Sequence, residues 1–365
     1  MKKILLISNM YPSKSNKHYG IFVKNIEELL INNDFLVDKV IMHKHSNKII
    51  KLFSYIIFHL EVIFKGLFKK YDYMYVHYIS HSTTGAVIVK KIKKNIKLIL
   101  NCHGNDVVPD TEIDLKNVKR SKKYLRYADK VVVPSKYFRK VLIDNYNVKK
   151  DLIFVYPSGG VNTSLFINKD ILESKRQSKL DENYNYIGYI SRIEADKGWD
   201  TFLYMIKELE KKDLIDKYNL RFLIVGNGEE EDRLNDIINE LKIDKYIERR
   251  ELVSQQELVN LYNSLDIFIF PTYRKSDSLG LVGLEAMSTM TFTIASNEYG
   301  PSDYMIDNIN GFTFIKEDYK NLASKVIKYY QLNNNDKNKI LKEARKTALK
   351  YDVDSTKDKI LEVFK

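Results

Sequence analysis

The segment 277–285 reads Asp-Ser-Leu-Gly-Leu-Val-Gly-Leu-Glu, with one carboxylate at each end. An apolar run, Ile267–Phe270, and a loop, 271–276, precede it. The spacing predicts a helix from about Leu279, capped by Asp277 or Ser278. Unpaired amides of Leu279, Gly280 and Leu281 at such a start would suit an anion. Glu285 would lie about 9 Å further along the axis. Its neighbours Val282, Leu284, Ala286 and Met287 are apolar, so its carboxylate needs a hydrogen-bonding partner. Ligand hydroxyls would serve; a surface Glu with a plain capping Asp277 is the competing reading. A second segment, 188–198, puts Arg192 at a strand end and Lys197 at the next helix start. Arg can grip a diphosphate with two parallel bonds, and Lys adds a point charge. Pairing with Glu194 and Asp196 at the surface would be the plainer outcome.

A third segment is Asn101-Cys102-His103-Gly104-Asn105-Asp106, after an apolar strand. Neutral His103 could hydrogen-bond a substrate hydroxyl, with Asp106 beside it. The alternative is a histidine satisfied by local backbone. Gly20, after the polar loop 12–19, would let backbone approach a phosphate or sugar. Gly226-Asn227-Gly228 has part of a dinucleotide fingerprint without its third glycine and reads as a tight turn. His77 and His81 lack acidic or Cys companions at metal-ligand spacing, so no metal is expected.

The elements that must hold these residues follow a βαβα rhythm. Strands are predicted over 3–8, 35–42, 73–77, 96–101, 130–134 and 152–156, with helices over 21–31, 47–70 and 83–94. A polar stretch, 168–183, is expected as a linker between domains 1–167 and 184–349. The rhythm then resumes, with strands over 186–191, 221–226, 266–271 and 291–295 and helices over 198–211, 229–241 and 280–290. This is an α/β reading: two doubly wound parallel sheets in tandem. Ligands of open α/β sheets bind beyond the carboxyl ends of the strands, and a cleft is expected there.

The chain has 365 residues, 44% of them hydrophobic, enough for two domains with real cores. A single Cys rules out an internal disulfide and accords with a reducing compartment. The net charge of +12 is lopsided: residues 1–170 hold 30 Lys and Arg against 14 Asp and Glu, and the rest 30 against 34. The first half therefore calls for an anionic partner. The apolar run 4–7 stops at Ser8-Asn9, which suits a buried strand and not a secretory leader. Segment 52–68 contains His59, Glu61 and Lys65, too polar for a membrane span.

In order and spacing these segments resemble glycosyltransferase family 4, retaining transferases with the GT-B fold. The resemblance runs over nearly the whole chain, through 9–12 with 19–22, His103-Gly104, 157–162 with Phe166, Arg192 with Lys197-Gly198, 225–228 and 277–285. It implies two Rossmann-like domains across a cleft, the last residues, about 350–365, rejoining the first. It implies that Arg192 and Lys197 neutralise a donor diphosphate and that Glu285 holds ribose hydroxyls. The amides of 278–281 and Gly226 would line the donor, His103 would bond the transferred sugar, and Gly20 and Asp106 would lie on the acceptor side. The co-substrate would be a nucleotide-diphosphate sugar, with uridine the expected base, and no metal or other cofactor. Two departures stand out. Asp277 replaces the usual Glu, and Glu251 stands where Gly is common near the base.

Helix 47–70 carries Ile49, Ile50, Phe53, Ile57, Leu60, Phe64 and Phe68 among Lys48, Lys51, Lys65, Lys69 and Lys70. A basic amphipathic helix suits an anionic membrane surface, and a core helix with a solvated basic face is the alternative. Lys116, Lys119, Arg120, Lys122, Lys123 and Arg126 extend the basic character. No nucleic-acid module is present. The expectation is a cytoplasmic, membrane-associated transferase that moves a sugar to a glycan or lipid-linked acceptor in bacterial surface polysaccharide synthesis. The competing functions are a non-catalytic GT-B subunit, which Asp277 would favour, and an epimerase of similar fold.

Overall fold

The computed structural model describes residues 1–16 and 19–365; positions 17 and 18 of the expected loop 12–19 lie outside the described residues. Six strands form the first sheet: β1 Lys3–Ser8, β2 Leu36–Ile41, β3 Tyr73–His77, β4 Lys97–Asn101, β5 Lys130–Val133 and β6 Ile153–Val155. The second holds β7 Asn185–Ile190, β8 Leu220–Val225, β9 Ile247–Arg250, β10 Ile267–Phe270, β11 Phe292–Ser296 and β12 Phe312–Phe314. Every neighbouring pair runs parallel. Parallel sheets are covered on both faces, so their central strands are continuously apolar. Ile4, Leu5, Leu6 and Ile7 are all inaccessible to solvent, as are Ile267, Phe268 and Ile269.

The strand orders are β2-β1-β3-β4-β5-β6 and β12-β11-β10-β7-β8-β9. Connections reverse direction between β1 and β3 in the first sheet and between β7 and β10 in the second. Crevices open beyond the carboxyl ends of strands at such switch points. The chemistry-bearing segments lie at these ends: Arg192 after β7, the 277–285 segment after β10, and His103 after β4, next to β3.

The chain divides into two units, Met1–Gly159 with Thr356–Lys365, and Gly160–Ser355. The boundary thus falls before the polar stretch 168–183, which is not a free linker. It contains the helix Ile171–Gln177, capped by the Asp170 side chain. The Lys169 amide donates to Asn263 Oδ1 at 2.7 Å, and Asn263 Nδ2 donates to the Ile167 carbonyl at 3.0 Å. Lys175 is buried, with Nζ donating to the Tyr184 carbonyl. Satisfied backbone groups and the buried side chain of Leu180 dock this stretch on the second unit.

Residues 356–365 pack on the first unit. Val363 and Phe364 are buried, and the Phe364 ring meets Phe35, Tyr73 and Tyr75. Tyr73 Oη and Lys2 Nζ donate to the Phe364 carbonyl, and Lys130 Nζ donates to that of Val363.

Candidate functional site

In the second unit, the turn after β7 and the loop after β10 bring five charged groups together. Lys197 Nζ meets Asp277 Oδ1 at 2.5 Å, both side chains largely buried. The Thr272 hydroxyl donates to the other Asp277 oxygen. Arg192, exposed, pairs with Glu194 Oε1 at 2.5 Å, and Arg274 pairs with Glu194 Oε2 at 2.7 Å. Lys197 therefore bonds Asp277, not the neighbouring Asp196 that its spacing suggested, whereas Arg192 does pair with Glu194. Three cations hold two carboxylates, leaving the cluster one positive charge and able to exchange its carboxylates for a dianion.

The helix begins later than expected. It spans Leu281–Ser288 with Gly280 as its N-cap, and no side chain among the described residues caps it. Asp277 is drawn to Lys197 and Thr272 instead, and Gly280 adopts a left-handed φ of 82° that an L side chain rarely takes. The first-turn amides are thus left for a ligand. Leu279 is fully buried, so it can offer backbone only, while Ser278, Gly280 and Leu281 are partly open. The Glu285 carboxylate accepts from Tyr262 Oη at 3.1 Å. Its burial pushes the pKa up to about 7, and the Tyr262 bond only partly opposes this. Gly226, at φ 130°, lies so close to the turn after β7 that a Cβ would sit 2.0 Å from the Ser191 carbonyl oxygen. Glu251 is exposed in the loop after β9.

In the first unit, His77 Nδ1 and His103 Nε2 are 3.0 Å apart, with their rings stacked. Phe22 covers His103 at 4.4 Å between centroids. Burial drives the His103 pKa down to about 3 and lowers that of His77 also, so both rings are neutral at ordinary pH. His77 Nε2 is buried without a partner among the described residues. An unbonded lone pair costs less there than an orphaned N–H, so His77 Nδ1–H donates to His103 Nε2. His103 then carries its own proton on Nδ1, ready to donate to a ligand. His77 had been considered only as a metal ligand; it positions His103 instead. Register carries that information, because β3 and β4 pair His77 with Asn101, two residues before His103. His81 bonds its neighbour Ser80.

Asp106 is not on an open face. It is inaccessible to solvent, and its carboxylate accepts the amides of His103, Gly104 and Ile79 at 2.9 to 3.1 Å. Burial raises its pKa to about 6 despite these bonds. It holds the His103 loop through these bonds. Gly20 caps the helix Ile21–Ile31, its backbone against that of Met10.

The helix Lys48–Phe68 is not a core helix. Ile49, Ile50, Phe53, Ile57, Leu60, Phe64 and Phe68 are each 53 to 74% exposed. Its opposite side, with Phe58, Val62 and Gly66, faces the helix Thr84–Ile92. Among the described residues no helix is long and apolar enough to cross a membrane.

Comparison with known proteins extends these observations. Residues 170–347 match the family model "Glycosyl transferases group 1", and residues 27–164 match "Glycosyltransferase Family 4". The capsular polysaccharide biosynthesis glycosyltransferase CapM of Staphylococcus aureus is 26% identical over 205 residues, 55% of this chain and 52% of that protein. With several curated relatives the chain spans about half their length or less. Among solved structures, HepE of Anabaena in complex with UDP superposes with a TM-score of 0.77 at 16% identity, covering 100% of this chain and 99% of that one. Sucrose-phosphate synthase of Thermosynechococcus elongatus does so at 0.80 and 16%, covering 100% and 98%.

Proposed function

The chain belongs to glycosyltransferase family 4, with the GT-B fold, and from that premise we propose that it is a retaining, metal-independent hexosyltransferase. Its donor is a uridine-diphosphate sugar and its acceptor a glycan or lipid-linked glycan of a bacterial surface polysaccharide or glycoconjugate. The observation that carries this reading is the buried Lys197–Asp277 pair beside Arg192, next to the uncapped helix start at Gly280. UDP in the HepE complex and the capsular role in the name of CapM support the choice of donor and pathway class.

In this mechanism Arg192 and Lys197 turn from Glu194 and Asp277 to the diphosphate. They stabilise the charge that grows as the C1–oxygen bond breaks. The amides at Gly280 and Leu281 receive phosphate or sugar oxygens. Glu285, ionised, accepts two ribose hydroxyls. His103 donates Nδ1–H to a sugar hydroxyl. The acceptor hydroxyl attacks C1 from the leaving-group side, and its proton passes to the departing phosphate oxygen. The exposed apolar stripe of helix Lys48–Phe68, with Lys48, Lys51, Lys69 and Lys70 around it, seats the enzyme peripherally on an anionic, cytoplasmic membrane face. Two copies meeting through this stripe would oppose their positive charges, which favours anionic lipid as the occupant.

The test is thermal stabilisation by UDP and a panel of UDP-sugars, with and without chelator, followed by turnover. A ligand at 100 times its dissociation constant adds about 2.7 kcal/mol. A chelator-insensitive shift that Arg192→Ala and Glu285→Ala abolish is expected. Loss of turnover by about 100-fold or more in Lys197→Ala is expected as well. If no nucleotide sugar or diphosphate binds, the donor assignment fails and a supporting, non-catalytic subunit takes its place.

A further inference from the structure

A second basic region lies at the opposite end of the first sheet from His103. The amino ends of β1, β3 and β4 frame a hollow of about 1090 Å³. Its wall carries Lys2 and Lys3, Lys69 and Lys70, Lys93 and Lys94, and Lys97, with Asp72 the one acid among the described residues that line it. The Asp72 carboxylate is engaged by the Lys3 amide at 2.7 Å. Several of the lysines are occupied. Lys2 bonds Tyr73 Oη and the Phe364 carbonyl, Lys69 pairs with Asp38, and Lys93 bonds the Lys69 carbonyl. Lys70 and Lys94 are exposed and have no ion pair or side-chain hydrogen bond among the described residues. Asp38 and Asp129 offset Lys69 and Lys97, but no described carboxylate pairs with Lys70 or Lys94, so the hollow keeps a positive field that favours an outside anion.

The hollow adjoins the apolar stripe. Phe68, 74% exposed, immediately precedes Lys69 and Lys70, and Ile92, 64% exposed, precedes Lys93 and Lys94. Apolar side chains next to free ammonium groups match the boundary between lipid chains and phosphate headgroups. We propose that this hollow is a headgroup site for an anionic phospholipid, with Lys70 and Lys94 gripping the phosphate while Phe68 and Ile92 enter the chain region. The proposal rests on the peripheral seating suggested above and is independent of the donor site, which occupies the other unit.

The experiment compares the full chain with three double variants: Lys70→Glu/Lys94→Glu in the hollow, Leu60→Ser/Phe64→Ser on the stripe, and Lys339→Glu/Lys342→Glu as a charge-matched control. Sedimentation with phosphatidylcholine vesicles, with and without phosphatidylglycerol, measures lipid binding. Titration with inorganic phosphate and glycerol phosphate measures the free anion. The hollow variant should lose at least about tenfold in affinity for phosphatidylglycerol vesicles, while the control keeps wild-type affinity. The stripe variant should lose vesicle binding yet keep its response to glycerol phosphate. Equal losses in the hollow variant and the control would overturn the proposal, as would undiminished vesicle binding by the hollow variant. Loss of free-phosphate binding alone would assign the hollow to a soluble anion and overturn the lipid assignment. Stabilisation by UDP, measured on all variants, separates failure of the hollow from failure of the donor site.

Discussion

Glu285 sets the pH behaviour of the donor site. Its pKa is about 7 in the fold against an ordinary value near 4.5. A carboxyl raised on folding contributes stability that is fully present below its unfolded pKa and is lost as pH rises through the folded value. Glu285→Gln should therefore raise the melting temperature at pH 8 and leave it unchanged near pH 4. The partly open carboxylate keeps the gain to about 1–2 kcal/mol, or a few degrees. Donor binding should move the opposite way and strengthen as pH rises through 7, because only the ionised carboxylate accepts two hydroxyls. Calorimetric melting and UDP titration across pH 5–9 check both. His103, held neutral well below this range, adds no limb to the profile. The chain pointed to Arg192, Lys197, Asp277 and Glu285 because they lie in the two segments that follow the apolar runs of β7 and β10. The partners Thr272, Arg274 and Tyr262 were not. They reach the site through folding of other segments, and nothing in their own neighbourhoods marks them.

Among the elements, the turn after β8 is the most constrained. A side chain at 226 meets both a forbidden φ and the Ser191 carbonyl. Gly226→Ala should cost roughly 2 kcal/mol or more, seen as a lower urea midpoint, and should weaken UDP binding by displacing the Arg192 turn. The long central strands were readable because burial on both faces makes them uniformly apolar. The edge strands β9, Ile-Glu-Arg-Arg, and β12, three residues long, were missed. Short or charged edges protect a sheet from pairing with other chains; the charge of β9 and the brevity of β12 hide them from a reading based on long apolar runs. The helix cap was misread for a related reason. Asp and Ser are good caps in isolation, but a buried lysine competes for Asp277 more strongly than an amide does.

At the level of the molecule, the charge asymmetry and the tandem α/β rhythm were visible from composition and periodicity. The position of the boundary was not, since the stretch at 168–183 is polar in sequence yet bound by backbone hydrogen bonds. Residues 356–365 bury Val363 and Phe364 in the first unit. Deleting them should cost that unit roughly 3–6 kcal/mol from lost apolar burial alone. Calorimetry should show the melting of the first unit lowered while UDP still stabilises the second. The same arrangement bears on how the chain is made. Gly160–Ser355 is one uninterrupted stretch, so all of it is synthesised before the last piece of the first unit. The domain begun first is finished last, and until then its sheet waits with the ground under Tyr73 and Tyr75 uncovered, a window in which chaperones have something to hold.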